Sequence, residues 1–418
     1  MFDTIDLIVI LLAILGLLGV VLEEVIHVNK AQSVLFFGAT SWVLLFLSSM
    51  DSDMGHAAVI TGLEENIGEI ASLWLFLISA MTFVVYLNQK GLIETLIYKV
   101  LPSRVSERTL LIMTGTFAFL FSSIVDNITA TLICVALVLS LNLDRRKTLR
   151  FAAVVIFGVN SGGVAMITGD VTTLMIFLEG KVTITELILL SLPAFGAVMV
   201  LAVLLARPLN EVAVIQKKSH PLAKVDYVIA IIFALTILST ITGNVMFDIP
   251  PVLTFLTGLS VMFLVARAFG QDTEDDPIMN YIRRIEFDTL MFFLGILLLV
   301  GALKEIHALD TFVKLYDVLP PWAANYLMGL LSALIDNVPL TAALLKADIH
   351  MDLEGWLSLT YAVGVGGSLL VIGSAAGIVA MSKLEDLTFG SYLKYTAPLL
   401  IAYSSGFVAS LMLARILA

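Results

Sequence analysis

The residues best suited to chemistry are two acid–amide pairs set in apolar surroundings. Asp126-Asn127 lies in "LFSSIVDNITATL" (120–132) and Asp336-Asn337 in "LLSALIDNVPLTA" (330–342), and neither stretch holds a Lys or Arg. Thr129 and Thr341 add hydroxyls just after each pair, and Ser122 and Ser332 just before. Carboxylate, amide and hydroxyl oxygens bind hard cations in preference to soft transition metals. An ionisable side chain within a membrane segment is functional by default, since keeping it there is costly. Two aspartates in one low-dielectric site resist being charged together, and a cation such as Na⁺ or a proton relieves that penalty. Competition between the two for the same oxygens would suffice for exchange. The plainer reading is structural, since Asp and Asn both close helix N-termini.

The elements that must position these residues are read from hydropathy. The chain is 59% hydrophobic and 14% charged, against about 45–50% and about 25% in soluble domains, so it reads as an all-α polytopic membrane protein. Apolar stretches long enough to cross lie near 5–22, 31–50, 69–88, 151–178, 184–206, 226–243, 251–269, 286–303, 357–381 and 396–414. Two further apolar regions, 109–142 and 322–347, are interrupted by the Asp-Asn pairs. At about 1.5 Å per residue the arm from Thr109 to Ile124 reaches roughly 24 Å, short of about 30 Å of hydrocarbon. Both regions are therefore expected to be re-entrant helical hairpins with tips inside the membrane.

Charge placement agrees. With hairpins that return to the side they left, of the 23 Lys and Arg only Lys181, Lys304, Lys314, Lys346 and Arg415 fall in outer loops. The rest, including Arg104, Arg108, Arg145, Arg146, Lys147 and Arg150, face the cytoplasm, as the positive-inside rule requires. Both termini are then outside. The net charge of −11 matters less than this placement. The acidic start, MFDTID, lacks the basic region of a cleavable signal, so the first span is expected to be retained. "GLIETLIYKVL" (91–101) and "LDTFVKLYDVL" (309–319) read as amphipathic interfacial segments, and 207–224 as a polar cytoplasmic linker. The lone Cys134 excludes a disulfide framework. No nucleotide or zinc motif is present, and nothing suggests a nucleic-acid partner, a cofactor or an enzyme.

The two halves repeat in the same order. "EIASLWLF" from Glu69 matches "EFDTLMFF" from Glu286, "VLP" recurs before Ser103 and before Pro321, the Asp-Asn pairs follow, and "NSGGVAMITG" (160–169) matches "GVGGSLLVIG" (364–373). Each half, 1–206 and 225–418, carries five spans and one hairpin. Five is odd, so the halves are inverted in the membrane, a transporter design that puts binding sites near the midplane where interrupted helices meet. Gly162, Gly163, Gly366 and Gly367 are expected to break their helices, since glycine permits unwinding, and the freed carbonyls would face the hairpin tips. Close packing between helices is the alternative. Asn160 and Ser161 add oxygens at the first break. Asp170, in "GDVTT", reads either as a cap on the following half-helix or as an ion ligand. Glu69 and Glu286 begin their spans, where an acid is favoured by the helix dipole; with Asp288 and Thr289 they could also form a proton path. His27, His56, His220, His307 and His350 fall in loops or at span ends and read as solvated surface.

At these residues the sequence resembles the NhaD-type sodium/proton antiporters of the ion transporter superfamily. "SSIVDNITATL", "NSGGVAMITGDVTT", "EFDTLMFFLG", "SALIDNVPLTAAL" and "GGSLLVIGSAAG" carry the resemblance. It implies exchange of Na⁺ and Li⁺ for H⁺, strongest at alkaline pH, in a bacterial inner membrane or organelle equivalent. It also implies a homodimer, with a scaffold and a transport domain that moves as an elevator. Carried onto this chain, the ion-site residues would be Asp126, Asn127, Asn160, Asp336, Asn337, Ser122, Ser332 and Ser374, with Glu69, Glu286, Asp288 and Thr289 accessory. The main rival is a sodium-coupled anion carrier for dicarboxylate, citrate or arsenite. Such carriers tend to have Ser-Asn-Thr at the tips, where this chain has an acid. An intramembrane aspartyl protease is more remote, since its G-x-G-D motif is absent.

Overall fold

In the computed structural model, residues 4–21, 28–50, 53–92, 95, 99, 101–141, 143–214, 222–269, 278–347 and 349–417 are described. His27, His220, Lys217, Lys218, the "QDTEDDP" run and most of 91–101 lie outside the described residues. The chain forms two compact units by its internal contacts: Met1–Leu77, Glu286–Ala324 and Val338–His350 in the first; Ile78–Ile285, Asn325–Asn337 and Met351–Ala418 in the second.

The first unit is built on α1 (Thr4–Val21), α2 (Lys30–Ser49), the opening part of α3 (Asp53–Gln89) and α11 (Phe287–Glu305). α2 starts where Asn29 Oδ1 accepts the Ala31 N–H at 2.8 Å. α1, α2 and α11 pack together, and Val9, Trp42, Leu45, Ala302 and Ile306 form a core there. α12 (Asp310–Val318) follows as a short helix on the expected amphipathic stretch. The third span begins earlier than hydropathy suggests. α3 has 37 residues, about 55 Å at 1.5 Å per residue. Glu69 is therefore inside this helix and not at its N-terminus, so the dipole argument does not apply to it.

The second unit carries both broken helices and the first hairpin. The latter is α4 (Glu107–Ile124) and α5 (Asn127–Ser140), and the first broken helix is α6 (Arg145–Gly163) and α7 (Val171–Leu178). α8 (Ile184–Ala206) opens with a capping box, Thr183 N–H donating to Glu186 Oε2 at 2.7 Å and Glu186 N–H to Thr183 Oγ1 at 3.3 Å. Next come α9 (Lys224–Phe247) and α10 (Pro251–Ala268). α13 (Pro321–Ser332), which passes from the first unit into the second, and α14 (Asn337–Lys346), which past Asn337 belongs to the first, flank the second Asp-Asn pair; the second broken helix is α15 (Leu353–Gly366) and α16 (Ala375–Lys383), and α17 (Thr396–Leu417) ends the chain. The 207–224 segment is not wholly loop. Its β2 (Val212–Val214) pairs antiparallel with β1 (Arg104–Ser106), Arg104 opposite Val214, a ribbon the all-α expectation lacked.

Among the described residues seven helical stretches are long and apolar enough to cross a membrane, in Lys30–Ser49, Gly55–Gln89, Ile184–Ala206, Lys224–Phe247, Pro251–Ala268, Phe287–Glu305 and Phe389–Leu417. The 151–178 and 357–381 stretches are each two half-helices, and α1 is a shorter apolar helix.

Candidate functional site

The first hairpin turns on two extended residues. Val125 (φ −117°, ψ 162°) closes α4 and Asp126 (φ −61°, ψ 158°) opens α5. Asp126 Oδ1 accepts the Thr129 N–H at 2.9 Å, so the capping role is present. Its neighbour points elsewhere. Ser122 Oγ donates to Asn127 Oδ1 at 2.6 Å, which fixes the amide orientation, and Asn127 Nδ2 donates to Asp170 Oδ2 at 2.9 Å.

Asp170 lies across the first helix break. It is buried and extended (φ −135°, ψ 139°), and its Oδ1 caps α7 by accepting the Thr172 N–H at 3.0 Å. The other oxygen takes two amides, since Asn337 Nδ2 also donates to Asp170 Oδ2, at 3.0 Å. The asparagines of both hairpin tips thus meet on one carboxylate oxygen. Asp336, half-buried beside Asn337, is near enough for its charge to act on Asp170. Cap and cluster member are therefore not alternatives for Asp170, because its two oxygens divide the tasks.

The helix ends differ from expectation in one respect. The helices stop at the glycines, but no glycine there has positive φ; Gly367 is helical at −55°, −21°. Glycine is needed for space. A Cβ on Gly162 would overlap the Phe119 carbonyl, and one on Gly366 the Gly329 carbonyl. The freed carbonyls are partly spoken for, with Ser123 Oγ donating to Gly162 O at 3.1 Å and Thr173 Oγ1 to Gly163 O at 3.2 Å. Side-chain oxygens are left over instead. Asn160 Oδ1 and Ser161 Oγ, on the last turn of α6, are buried and accept or donate no hydrogen bond among the described residues. The Thr172 hydroxyl lies beside Asp170 without a well-aligned hydrogen bond. Buried polar atoms are normally satisfied, so such orphans call for a partner.

Asn160 Nδ2 donates to Ile156 O at 2.8 Å and to Ser374 Oγ at 3.0 Å. Ser374 opens α16, accepting the Gly377 N–H at 3.4 Å. Ser332 is buried but spends its hydrogen on Val363 O at 2.7 Å, unlike Ser122. Among the described residues no group of three His, Cys, Asp or Glu is placed to hold a metal, so the donors here are mixed carboxylate, amide and hydroxyl.

Glu69, Glu286, Asp288 and Thr289 belong to the first unit and have contacts of their own there. Glu69 pairs with Lys346. Glu286 precedes α11, accepting from Thr289 Oγ1 at 3.3 Å, and Asp288 accepts from Asn29 Nδ2 at 3.2 Å. Thr168 Oγ1 donates to Ser123 O at 2.9 Å; no sequence motif marks Ser123, Thr168, Thr172 or Thr173. Thr172 and Thr173 follow Asp170 in "GDVTT", where only the acid drew attention.

Apolar spans, helices interrupted at two Asp-Asn pairs and two broken helices around buried oxygen donors fit a membrane transporter. Residues 2–366 match the citrate transporter family model. The chain is 32% identical to the Na⁺/H⁺ antiporter NhaD of Vibrio cholerae, covering 94% of this chain and 89% of that protein. It is 30% identical to NhaD of Alkalimonas amylolytica (94% and 87% covered) and 28% identical to sodium/proton antiporter 1 of Arabidopsis thaliana (95% and 70%). The chain belongs to the NhaD sodium/proton antiporter family. The crystal structure of the Alcanivorax borkumensis YdaH transporter shares the fold, with TM-score 0.60 at 15% identity over 99% of this chain and 98% of that one. These relatives are transporters and not enzymes, so the protease reading falls, and the protein is an integral membrane protein.

Proposed function

We propose that this chain exchanges Na⁺ and Li⁺ for H⁺ across the membrane at the carboxylates of Asp126, Asp170 and Asp336. The observation that carries the reading is the convergence of Asn127 and Asn337 on Asp170 Oδ2, next to a helix end that bears the unpartnered oxygens of Asn160 and Ser161. A carboxylate in its ionised form attracts a hard cation. A cation bound there would draw ligands from Asn160 Oδ1, Ser161 Oγ and the Thr172 hydroxyl. A proton on the same acid removes the charge that holds the cation. The two occupants exclude each other, and alternating access then yields antiport. The relatives' names agree with this cargo.

The proposal extends to architecture. Inverted halves 1–206 and 225–418 are supported by matched geometry: Gly162 against Phe119 O and Gly366 against Gly329 O, with Asp170 and Ser374 each opening the half-helix after a break. Basic loops face the cytoplasm and both termini lie outside, in a homodimer. The rival is sodium-coupled anion transport, favoured by the name of the family model; an anion would meet the carboxylates of Asp170 and Asp336.

The test is proton flux in everted vesicles on addition of Na⁺, Li⁺, K⁺, citrate, succinate or arsenite. Na⁺ and Li⁺ should collapse the pH gradient and K⁺ should not. Flux driven by citrate, succinate or arsenite would establish the rival.

A further inference from the structure

At its basic rim the second unit holds an ionic knot that ion exchange does not explain. Lys147 Nζ, in the first turn of α6, donates to Glu107 Oε1 and contacts Glu211 Oε2, both at 2.8 Å, with Asp144 Oδ2 3.7 Å away. Glu107 opens α4, yet it is only 3% exposed, and its Oε2 has no hydrogen-bond partner among the described residues. Its N–H donates to Glu211 O at 2.9 Å, prolonging the β1–β2 ribbon. The same corner is clamped by two arginines. Arg108 Nε donates to Leu209 O at 2.6 Å and its Nη2 to Asn210 Oδ1 at 2.5 Å, while Arg150 Nη1 donates to Leu205 O at 3.3 Å. A loop that only had to be positive would not bury a carboxylate, which is costly unless paired.

The knot sits at one end of two helices whose other ends carry the site. Lys147 and Glu107 are 40 residues apart in sequence, and at the far end Ser123 and Gly162, joined through Ser123 Oγ, are 39 apart. The near-constant difference means that α4 and α6 run parallel in one axial register. Asp126 and Asn127 follow just after the far end of α4, at the start of α5, and Asn160 and Ser161 lie on the last turn of α6. Between the ends the helices meet at glycines, Gly115 against Val154 and Gly158 against Ala118. These allow close approach but supply no directional bond. A slip of one residue is about 1.5 Å, whereas metal–ligand distances hold to about 0.2 Å.

We propose that Lys147 is a positioning residue for ion exchange: bonded to Glu107 and Glu211, it pins α4 to α6 and so sets the spacing of the oxygen donors at their far ends. The inference rests on the ion site proposed above. It is tested with K147M, K147R, E107Q and the E107Q/K147M double variant, by titrating Na⁺-driven proton flux in everted vesicles normalised to folded transporter. In K147M the apparent KM for Na⁺ should rise about tenfold with maximal flux per folded molecule within about twofold, the pattern of lost binding. K147R should recover most of the affinity, and the double variant should be no worse than K147M. An unchanged KM in K147M, a loss confined to maximal flux or folded amount, or additive effects in the double variant would overturn the proposal. Should K147M fail to accumulate, E107Q is read alone by the same KM criterion. Full exchange in D126N would instead refute the site assignment, whatever Lys147 does.

Discussion

Replacing Asp170 by serine separates the two tasks that its carboxylate performs. Serine ranks with aspartate as an N-cap, and Ser374 already does this work at the start of α16. The first turn of α7 should therefore survive, at a cost of a few tenths of a kcal/mol at most. What disappears is the charged acceptor of Asn127 Nδ2 at 2.9 Å and of Asn337 Nδ2 at 3.0 Å. A hydrogen bond to a charged group contributes about 1.5–3 kcal/mol, so the pair is worth about 3–6 kcal/mol. That is an upper bound, since the new hydroxyl or water can accept one amide. Loss of the charged ligand itself, taken as one such interaction at about 3 kcal/mol and about 1.4 kcal/mol per decade, should weaken apparent Na⁺ affinity by about a hundredfold, while the lost amide bonds lower the thermal transition. The assay is Na⁺-titrated collapse of the pH gradient in everted vesicles, alongside the thermal transition of the purified protein in detergent. A lowered but still cooperative transition, with affinity lost by that factor, is the expected pair of results. Wild-type affinity in this variant would mean that the convergence of the two asparagines is only structural, and the ion site would have to be sought elsewhere.

Asp126→Asn and Asp336→Asn each keep a residue able to cap the following helix, so both should reach wild-type levels in the membrane and lose Na⁺-driven exchange; full activity in either removes that acid from the site. Gly162→Ala and Gly366→Ala each push a methyl into a carbonyl of a neighbouring helix, and overpacking of this kind costs about 1–3 kcal/mol, to be seen as a lower melting temperature in both. Lys147 is held above its ordinary value of 10.5 first by its hydrogen bond to Glu107 and then by that to Glu211. A raised folded-state value means that its contribution is complete below the ordinary lysine range and is lost only as pH rises beyond it. The stability difference between wild type and K147M should accordingly stay level from neutral pH to about pH 10 and shrink above that; a difference that fades between pH 7 and 9 would contradict the assignment.

The helix interruptions were legible because an acid–amide pair within an apolar run is rare, and at the first of them the helices Glu107–Ile124 and Asn127–Ser140 flank it directly. The partners were not. Asn127 and Asn337 reach Asp170 across 43 and 167 residues of chain, and no local pattern encodes such a meeting. Glu69 was misplaced because hydropathy marks where charges stop, while a helix continues through them: α3 runs from Asp53 past Glu64, Glu65 and Glu69. The ribbon's three-residue strands are too short for a period-two pattern to register. At the glycines both readings hold, since the helices end there and a Cβ on Gly162 or Gly366 would overlap a neighbouring carbonyl; composition alone cannot separate the two needs.

The two halves differ in a linked way. Under the proposed repeat, Asn160 corresponds to Gly364 and Asp170 to Ser374. These departures are joined by a hydrogen bond, because Asn160 Nδ2 donates to Ser374 Oγ at 3.0 Å. Gly364 in turn leaves room that Val164 fills. Had both caps been acids, one carboxylate would accept from Asn160 while the other accepted from both tip asparagines, and a further charge would have to be neutralised. With serine in one cap, the hydroxyl ties the amide of the first half to the second, and the acid is kept where the tips converge. Duplication alone would supply two equivalent caps; under the proposed repeat these two differences make one cap a fastening and keep the other as a carboxylate.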